Sequence, residues 1–187
     1  IEMSLTESKM LELGTRSPAF ELPDTISGNQ FTMDDIAGKN ATVIMFICNH
    51  CPYVIHVNRE LVDLANDYLP KGVGFAAISS NDVENYPQDA PGIMSVVGQA
   101  LQFPFPYLYD ETQEVAKQFD AACTPDFYLF DASRKLVYRG RLDENRPSSG
   151  KTPDGKELRK AIDAVLSGQE VDSKQYPSAG CNIKWKK

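Results

Sequence analysis

The sequence predicts an α/β fold in which helices flank a central mixed sheet, and three consecutive segments support this prediction. Residues 42–47 are apolar after the threonine and rich in β-branched side chains, as expected of a strand buried on both faces. An amphipathic segment follows as far as residue 69, and residues 73–79 form a second apolar run. Strand, helix and strand in this order predict a right-handed βαβ unit with two parallel strands.

An N-terminal β-hairpin extension is expected ahead of this unit. Residues 19–22 and 30–32 alternate polar and apolar side chains around the turn-forming sequence SGN at residues 27–29. Thr32, with Asp35 three residues later, matches a capping box that opens one helical turn.

The helix of the βαβ unit is expected to bury one apolar face. Its apolar residues at helical spacing are Val54, Val57, Leu61, Leu64, Ala65 and Tyr68. Pro70 and Gly72 follow and should end the helix. Residues 82–106 are ambiguous, because their apolar spacing permits a helix that Gly92 and Gly98 weaken.

The second half of the chain is predicted to add a helix, two strands and a last helix. Asp110 and Gln113 look like an N-cap pair that opens the first of these helices. Residues 126–130 and 135–139 read as strands of an antiparallel hairpin, since four turn-forming residues separate them. The last helix is expected over about residues 155–167.

The composition is that of one domain, residues 1–187, with a core over about residues 14–167 and a C-terminal tail over residues 168–187. The net charge of -7 and the pI near 4.9 argue against a nucleic-acid partner. No apolar run reaches the roughly 20 residues that cross a bilayer, so no membrane partner is expected. Four cysteines in an ordinary composition indicate a reducing compartment or a catalytic use, which makes the cytoplasm the expected location.

Two cysteines stand where the first buried strand meets the helix. Cys51 directly precedes Pro52, and proline favours the first turn of a helix, so Cys51 should lie at the helix N-terminus. Unpaired backbone N–H groups and the helix dipole stabilise a thiolate there and lower the pKa of the thiol. We therefore predict Cys51 as the nucleophile.

Cys48 and His50 complete this candidate site. If Cys48 and Cys51 act together, they form a CxxC dithiol, and if Cys51 acts alone, the motif is CPYV. Cys48 is then a candidate resolving thiol on the preceding loop. His50 could stabilise a thiolate or shuttle a proton, or it could be a solvent-facing loop histidine.

Three stretches carry a resemblance to a known family: SPAFELPDTISGNQFTMDDIAGK near the start, the block from Cys48 to Pro52 after the first buried strand, and CTPDFYLFD from Cys123. Together they resemble the thioredoxin-like fold of peroxiredoxin-like proteins of the redoxin, or alkyl hydroperoxide reductase and thiol-specific antioxidant, type. The resemblance implies that Thr124 and Pro125 form the cis-proline site opposite the active thiol, where backbone groups meet a substrate chain. It also makes Cys123 and the C-terminal Cys181 possible resolving thiols.

The sequence departs from true peroxiredoxins around the nucleophile. Peroxiredoxins carry the motif Pro-x-x-x-Thr/Ser-x-x-Cys. With Cys51 as the cysteine of this motif, Ile44 occupies the proline position and Cys48 the Thr/Ser position. A remote arginine also holds the peroxide in that family, and Arg139 or Arg141 could supply it. A surface arginine is the simpler interpretation of both.

The predicted function is therefore thiol-dependent oxidoreduction, in which the Cys51 thiolate attacks a disulfide or a hydroperoxide and a second thiol, Cys48 by preference, resolves the product. A redox sensor without turnover, or a thiol or metal-binding module, is the alternative. No metal or organic cofactor is expected, because Cys48, His50, Cys51 and His56 lack a second ligand pair at zinc-site spacing. The expected partners are an external thiol reductant and the oxidised substrate, with a homodimer possible.

Overall fold

The structure is a computed structural model that describes residues 5–187. In chain order the strands are β1 (Leu5–Glu7), β2 (Glu21–Pro23), β3 (Gln30–Thr32), β4 (Ala41–Phe46), β5 (Val73–Ser79), β6 (Tyr107–Tyr109), β7 (Cys123–Thr124), β8 (Asp126–Asp131), β9 (Leu136–Gly140) and β10 (Ala179–Asn182). The α-helices are α1 (Met33–Ile36), α2 (Pro52–Tyr68), α3 (Pro91–Ala100), α4 (Glu114–Gln118) and α5 (Lys156–Leu166). Within residues 5–187, no helix is long and apolar enough to cross a membrane.

The central sheet has five strands in the order β6-β5-β4-β8-β9. β4 pairs in parallel with β5, and β5 pairs in parallel with β6. On the other side, β8 pairs antiparallel with β4, and β9 pairs antiparallel with β8. All six residues of β4 are buried, because strands flank it on both sides and helices cover both faces. The predicted mixed α/β sheet and its βαβ unit are confirmed.

The two faces of the sheet belong to different apolar clusters. Val43 and Met45 of β4 pack in a cluster that includes the buried residues of α2 and α5. Ile44 and Phe46 point the other way, into a cluster formed with α1 and α4. This alternation follows from the two-residue period of a strand, and it fixes α2 on the face that carries the thiols.

The predicted hairpins and the cap are present. β2 and β3 pair antiparallel, and the capping box between Thr32 and Asp35 opens α1. The ambiguous stretch contains α3, which begins at Pro91. The predicted N-cap pair of Asp110 and Gln113 is wrong in detail. Gln113 is the N-cap residue of α4, but its side chain makes no cap hydrogen bond. The Asp110 carboxylate accepts from the N–H groups of Val115 and Ala116 in the first turn.

The C-terminal tail differs most from the expectation. Residues 179–182 form β10, the middle strand of a second sheet in the order β1-β10-β7. Both neighbours are antiparallel, with Leu5 opposite Cys181 on one side and Thr124 opposite Cys181 on the other. The tail therefore returns to the centre of the fold and brings Cys181 to the strand that precedes Pro125.

Candidate active site

Cys51 occupies the N-cap position of α2, and Pro52 is the first residue of the helix. The Cys51 carbonyl accepts from the N–H groups of Val54 and Ile55 at 3.0 and 2.9 Å, so the helix begins as predicted. The Cys51 residue is fully buried, with 0% of its surface exposed. The sequence places its sulfur at a helix N-terminus, and the fold then excludes water from it.

Cys181 lies directly against this sulfur. The Sγ atoms of Cys51 and Cys181 are 2.7 Å apart. Cys181 is itself 2% exposed. The strand β10 reaches this position because Gly180 allows close contact with β7: a Cβ atom on Gly180 would lie 1.9 Å from the carbonyl oxygen of Thr124.

The Thr124–Pro125 peptide bond is cis, as the family resemblance implied. The carbonyl oxygen of Thr124 lies 3.5 Å from the Cys51 sulfur. In the position where the resemblance implied a substrate chain, the protein's own β10 pairs with β7. The backbone edge beside the candidate nucleophile is thus already occupied.

The contact between the sulfurs of Cys51 and Cys181 shifts the pKa values of the two thiols in opposite directions. A hydrogen bond from the Cys181 thiol, and a second from Cys48, stabilises the thiolate form of Cys51 and lowers its pKa, although burial opposes this. The backbone N–H of Val54 acts in the same direction. The same contact, together with burial, raises the pKa of Cys181. The pair therefore favours one thiolate, on Cys51, and one thiol, on Cys181.

The other two cysteines have different surroundings. Cys48 is 3% exposed, and its sulfur lies 3.7 Å from the hydroxyl oxygen of Thr124. Interaction with Cys51, burial and the charge of Asp89 raise the pKa of Cys48. Cys123 contacts Ser8 and the carbonyl of Ser178, and burial raises its pKa. The structure thus brings Cys48 and Cys181 to Cys51 and leaves Cys123 with a different set of contacts.

His50 faces a buried carboxylate that the sequence did not reveal. Its Nδ1 atom lies 2.5 Å from Oδ2 of Asp89, but it is not aligned for a hydrogen bond. Asp89 is completely buried, and its Oδ1 atom accepts from the backbone N–H groups of Asn49 and His50 at 2.9 and 3.3 Å. Asp89 therefore holds the loop that precedes the nucleophile. No local pattern marks it, since it lies 38 positions beyond Cys51 in the ambiguous stretch.

A polar network fastens the tail to the same region. The Asn81 amide donates to Oδ2 of Asp89 at 2.9 Å, while its oxygen accepts from the N–H of Lys184 at 2.8 Å. Gln113 donates to the carbonyls of Ser80 and Lys184, both at 2.8 Å. These bonds lie just beyond Cys181 in the chain, so they help to keep β10 on the thiols.

The arginines and the second histidine are engaged with other partners. Arg139 donates to the Leu11 carbonyl and to Gln175, and Arg141 forms a bidentate ion pair with Glu157. His56 contacts Asn145 at 3.2 Å. His56 does not belong to the cluster that contains Cys48 and His50.

Two features of the site bear on ligands. A cavity of about 30 Å³ lies beside Tyr53, Pro125 and Ala179, which is room for about one water molecule. Among residues 5–187, one group of side chains could hold a metal ion: a ligand atom each from Cys48, His50 and Asp89, all within 4.8 Å of one another.

The chain is similar to known proteins over its whole length. It is 57% identical to an uncharacterized conserved protein from Geobacillus kaustophilus, with a TM-score of 0.97 and coverage of 100% of this chain and 98% of that one. It is 44% identical to a hypothetical protein from Sinorhizobium meliloti 1021, with a TM-score of 0.94 and coverage of 97% and 98%. Peroxidoxin BcpB from Mycobacterium tuberculosis shares the fold at 19% identity, with a TM-score of 0.61 and coverage of 83% and 96%. No curated protein matches at a significant level. The family model of Redoxin matches residues 12–161, and the chain belongs to the Redoxin family.

Proposed function

We propose that this protein is a thiol-dependent oxidoreductase that cycles between a dithiol and a disulfide, with Cys51 as nucleophile and Cys181 as resolving thiol. The observation that carries the proposal is the 2.7 Å separation of their sulfurs at the N-terminus of α2. A disulfide needs sulfurs about 2.05 Å apart, so little motion separates this contact from a bond. Cys48, the partner that the sequence favoured, stays next to Cys51 as a second thiol donor.

The reaction proceeds in two exchange steps. The Cys51 thiolate attacks one sulfur of a substrate disulfide, which forms a mixed disulfide and releases the other substrate sulfur as a thiolate. Cys181 then loses its proton to that leaving thiolate and attacks the Cys51 sulfur. The second substrate thiolate leaves and takes a proton from water, while the Cys51–Cys181 disulfide remains. An external dithiol returns the protein to its reduced form by the same exchange in reverse, and no organic cofactor is required.

A disulfide is the favoured oxidised substrate, because the site lacks the groups that would hold a peroxide. Cys48 replaces the hydroxyl residue of the peroxiredoxin motif, and both candidate arginines are engaged with other partners. A hydroperoxide is the second candidate, and the full burial of Cys51 favours it, since a small oxidant needs less opening of the tail. In that case Cys51 becomes a sulfenic acid, and the alkoxide takes a proton from water and leaves as an alcohol. Cys181 then attacks the sulfenic sulfur, and the displaced hydroxide takes the Cys181 proton and leaves as water, which gives the same disulfide.

Steady-state turnover tests the proposal. The reduced protein is supplied with dithiothreitol and either a small-molecule disulfide or an alkyl hydroperoxide, and consumption is followed over many equivalents. We expect Cys51→Ser to lose turnover. When reduced Cys181→Ser is treated with the disulfide after dithiothreitol has been removed, we expect it to stop at a mixed disulfide that mass spectrometry detects on Cys51. Cys123→Ser is the matched control, because it removes an equally buried cysteine outside the reacting pair.

Two outcomes would refute this assignment. If the parent protein consumes one equivalent of oxidant and then stops, it is a sensor without turnover. If Cys48→Ser stalls as a mixed disulfide while Cys181→Ser turns over normally, then Cys48 is the resolving thiol and the 2.7 Å contact has no catalytic use.

A further inference from the structure

Three chemically capable side chains near the nucleophile form no bond to the substrate or to Cys51 in the proposed exchange. Cys48 supplies a sulfur, His50 an imidazole nitrogen and Asp89 a carboxylate oxygen, and these atoms lie within 4.8 Å of one another. Cys48 is 3% exposed and Asp89 is 0% exposed, whereas the His50 side chain is 18% exposed. The cluster is therefore enclosed by protein, with His50 as its outer wall.

The hydrogen-bond donors around Asp89 are all uncharged amides: two of the backbone and the side-chain amide of Asn81. The His50 ring lies beside them, and its Nδ1 atom is buried and makes no hydrogen bond despite its 2.5 Å approach to Oδ2 of Asp89. A buried carboxylate is costly unless it is paired or ligates a metal ion, and a metal ion would also give the Nδ1 atom of His50 a partner.

We propose that Cys48, His50 and Asp89 bind a Zn²⁺ ion, with a water molecule as the fourth ligand. One thiolate, one imidazole and one carboxylate form a donor set that suits zinc, because thiolate disfavours magnesium and calcium and carboxylate disfavours monovalent copper. Cys48 releases its proton to solvent as the sulfur–zinc bond forms, and no electron is transferred. The two ligand charges then balance the ion.

The site requires only a local adjustment. Tetrahedral ligation places neighbouring ligand atoms about 3.4 to 3.6 Å apart at the usual zinc distances. The Nδ1 atom of His50 and the Oδ2 atom of Asp89 must therefore separate by about 0.9 Å from their present 2.5 Å. The Cys48 sulfur, which lies within 4.8 Å of the other two ligand atoms, must come to about 3.5 Å from each. The hydrogen bonds from Asn49, His50 and Asn81 already orient the carboxylate, as outer partners do in established metal sites.

The set differs from the four side chains that the sequence argued against as zinc ligands. Cys48 and His50 remain, but Asp89 replaces Cys51 and His56. Zinc ligation would remove the Cys48 proton that supports the Cys51 thiolate, so the two proposals share Cys48. Their tests are separate, because zinc binding is measured without turnover and turnover is measured without zinc.

The test measures zinc binding rather than activity. The full-length protein is reduced, treated with a chelator and titrated with Zn²⁺ against a chromophoric competitor, and Co²⁺ is used to detect thiolate ligation by its charge-transfer absorption. We expect one Zn²⁺ per chain in the parent protein and in the matched control Cys123→Ser. We expect Cys48→Ser and His50→Ala each to weaken binding by more than about tenfold, since even outer partners of a metal site are worth 10- to 100-fold.

His50→Ala keeps the test interpretable, because this side chain is partly exposed and circular dichroism can confirm that the variant folds. The proposal is overturned if the parent binds no zinc, in which case the cluster is a histidine–carboxylate pair only. It is equally overturned if Cys48→Ser binds as the parent does, or if Cys181→Ser loses binding while Cys48→Ser keeps it. A loss in Cys123→Ser as large as in Cys48→Ser would also exclude this site.

Discussion

Asp126 should make the protein less stable as the pH rises through neutrality. This carboxyl group begins β8, directly after the cis-proline, and is 1% exposed. Burial raises its pKa from 3.8 to about 7, even though Ser8, Tyr128 and the backbone N–H of Phe127 donate to it. The neutral acid is therefore the form that the folded protein prefers.

The size of the effect follows from the pKa values of the two states. Because the folded pKa is raised above the unfolded one, the stability gained from the neutral acid is complete below about pH 4 and is lost as the pH rises through 7. The rise from 3.8 to about 7 corresponds to about 4 kcal/mol over the whole range. Between pH 5 and pH 8 the loss should be about 3 kcal/mol.

Asp126→Asn tests this, because the amide has the shape of the neutral acid and does not ionise. Urea unfolding at several pH values under reducing conditions gives the free energy of unfolding of the variant minus that of the parent. This difference should become more favourable to the variant by about 3 kcal/mol from pH 5 to pH 8. The control Asp63→Asn removes a carboxylate whose side chain is 54% exposed, so it reports the effect of losing a surface charge in the same titration. A difference for Asp126→Asn that stays constant from pH 5 to pH 8 would refute the reasoning.

Three further outcomes are expected. Thr32→Ala removes the capping box of α1 and should lower the free energy of unfolding by about 1 kcal/mol in urea titrations. Leu61→Ala empties a fully buried position and should cost about 2 to 5 kcal/mol, whereas Ile55→Ala, at a position 56% exposed on the same helix, should change stability by less than about 0.5 kcal/mol. Gly180→Ala forces a Cβ atom against the carbonyl before the cis-proline, so iodoacetamide should modify Cys51 about tenfold faster, equivalent to 1.4 kcal/mol of weakened tail packing.

Each of these three predictions has a result that would contradict it. An unchanged alkylation rate in Gly180→Ala would mean that β10 does not control access to the sulfur. For Thr32→Ala, unfolding at the parent's urea midpoint would show that the cap is not needed. Equal losses from Leu61→Ala and Ile55→Ala would contradict the burial of the helix face.

The sequence predicts the part of the fold that local patterns encode. The apolar run of β4, the 3.6-residue spacing along α2 and the Thr32–Asp35 box each carry their signal within a few neighbouring residues. The N-terminal position of Cys51 on α2 was predictable for the same reason, since Pro52 marks the start of the helix.

The second sheet has no such signal. β7 has two residues, β1 three and β10 four, which is too short for a two-residue period to be recognised. Their pairing joins the two ends of the chain, as Leu5 opposite Cys181 shows, and no propensity of either segment specifies the other. The choice between Cys48 and Cys181 as the partner of Cys51 depends on this pairing. The role of Asp89 depends likewise on contacts between distant segments, because its side-chain partners lie on the loop after β4 and the loop after β5.

The placement of Cys181 on the strand that covers Cys51 imposes an order on the proposed reaction. While β10 pairs with β7, both sulfurs are buried and in contact, so a substrate cannot reach Cys51. If β10 separates from β7, Cys51 becomes accessible, but Cys181 moves away with the same strand. Attack on the substrate therefore belongs to the open tail and resolution to the closed one. The hydrogen bonds of Lys184 to Asn81 and Gln113 help to set how readily the tail opens, and weakening them should speed the first step and slow the second.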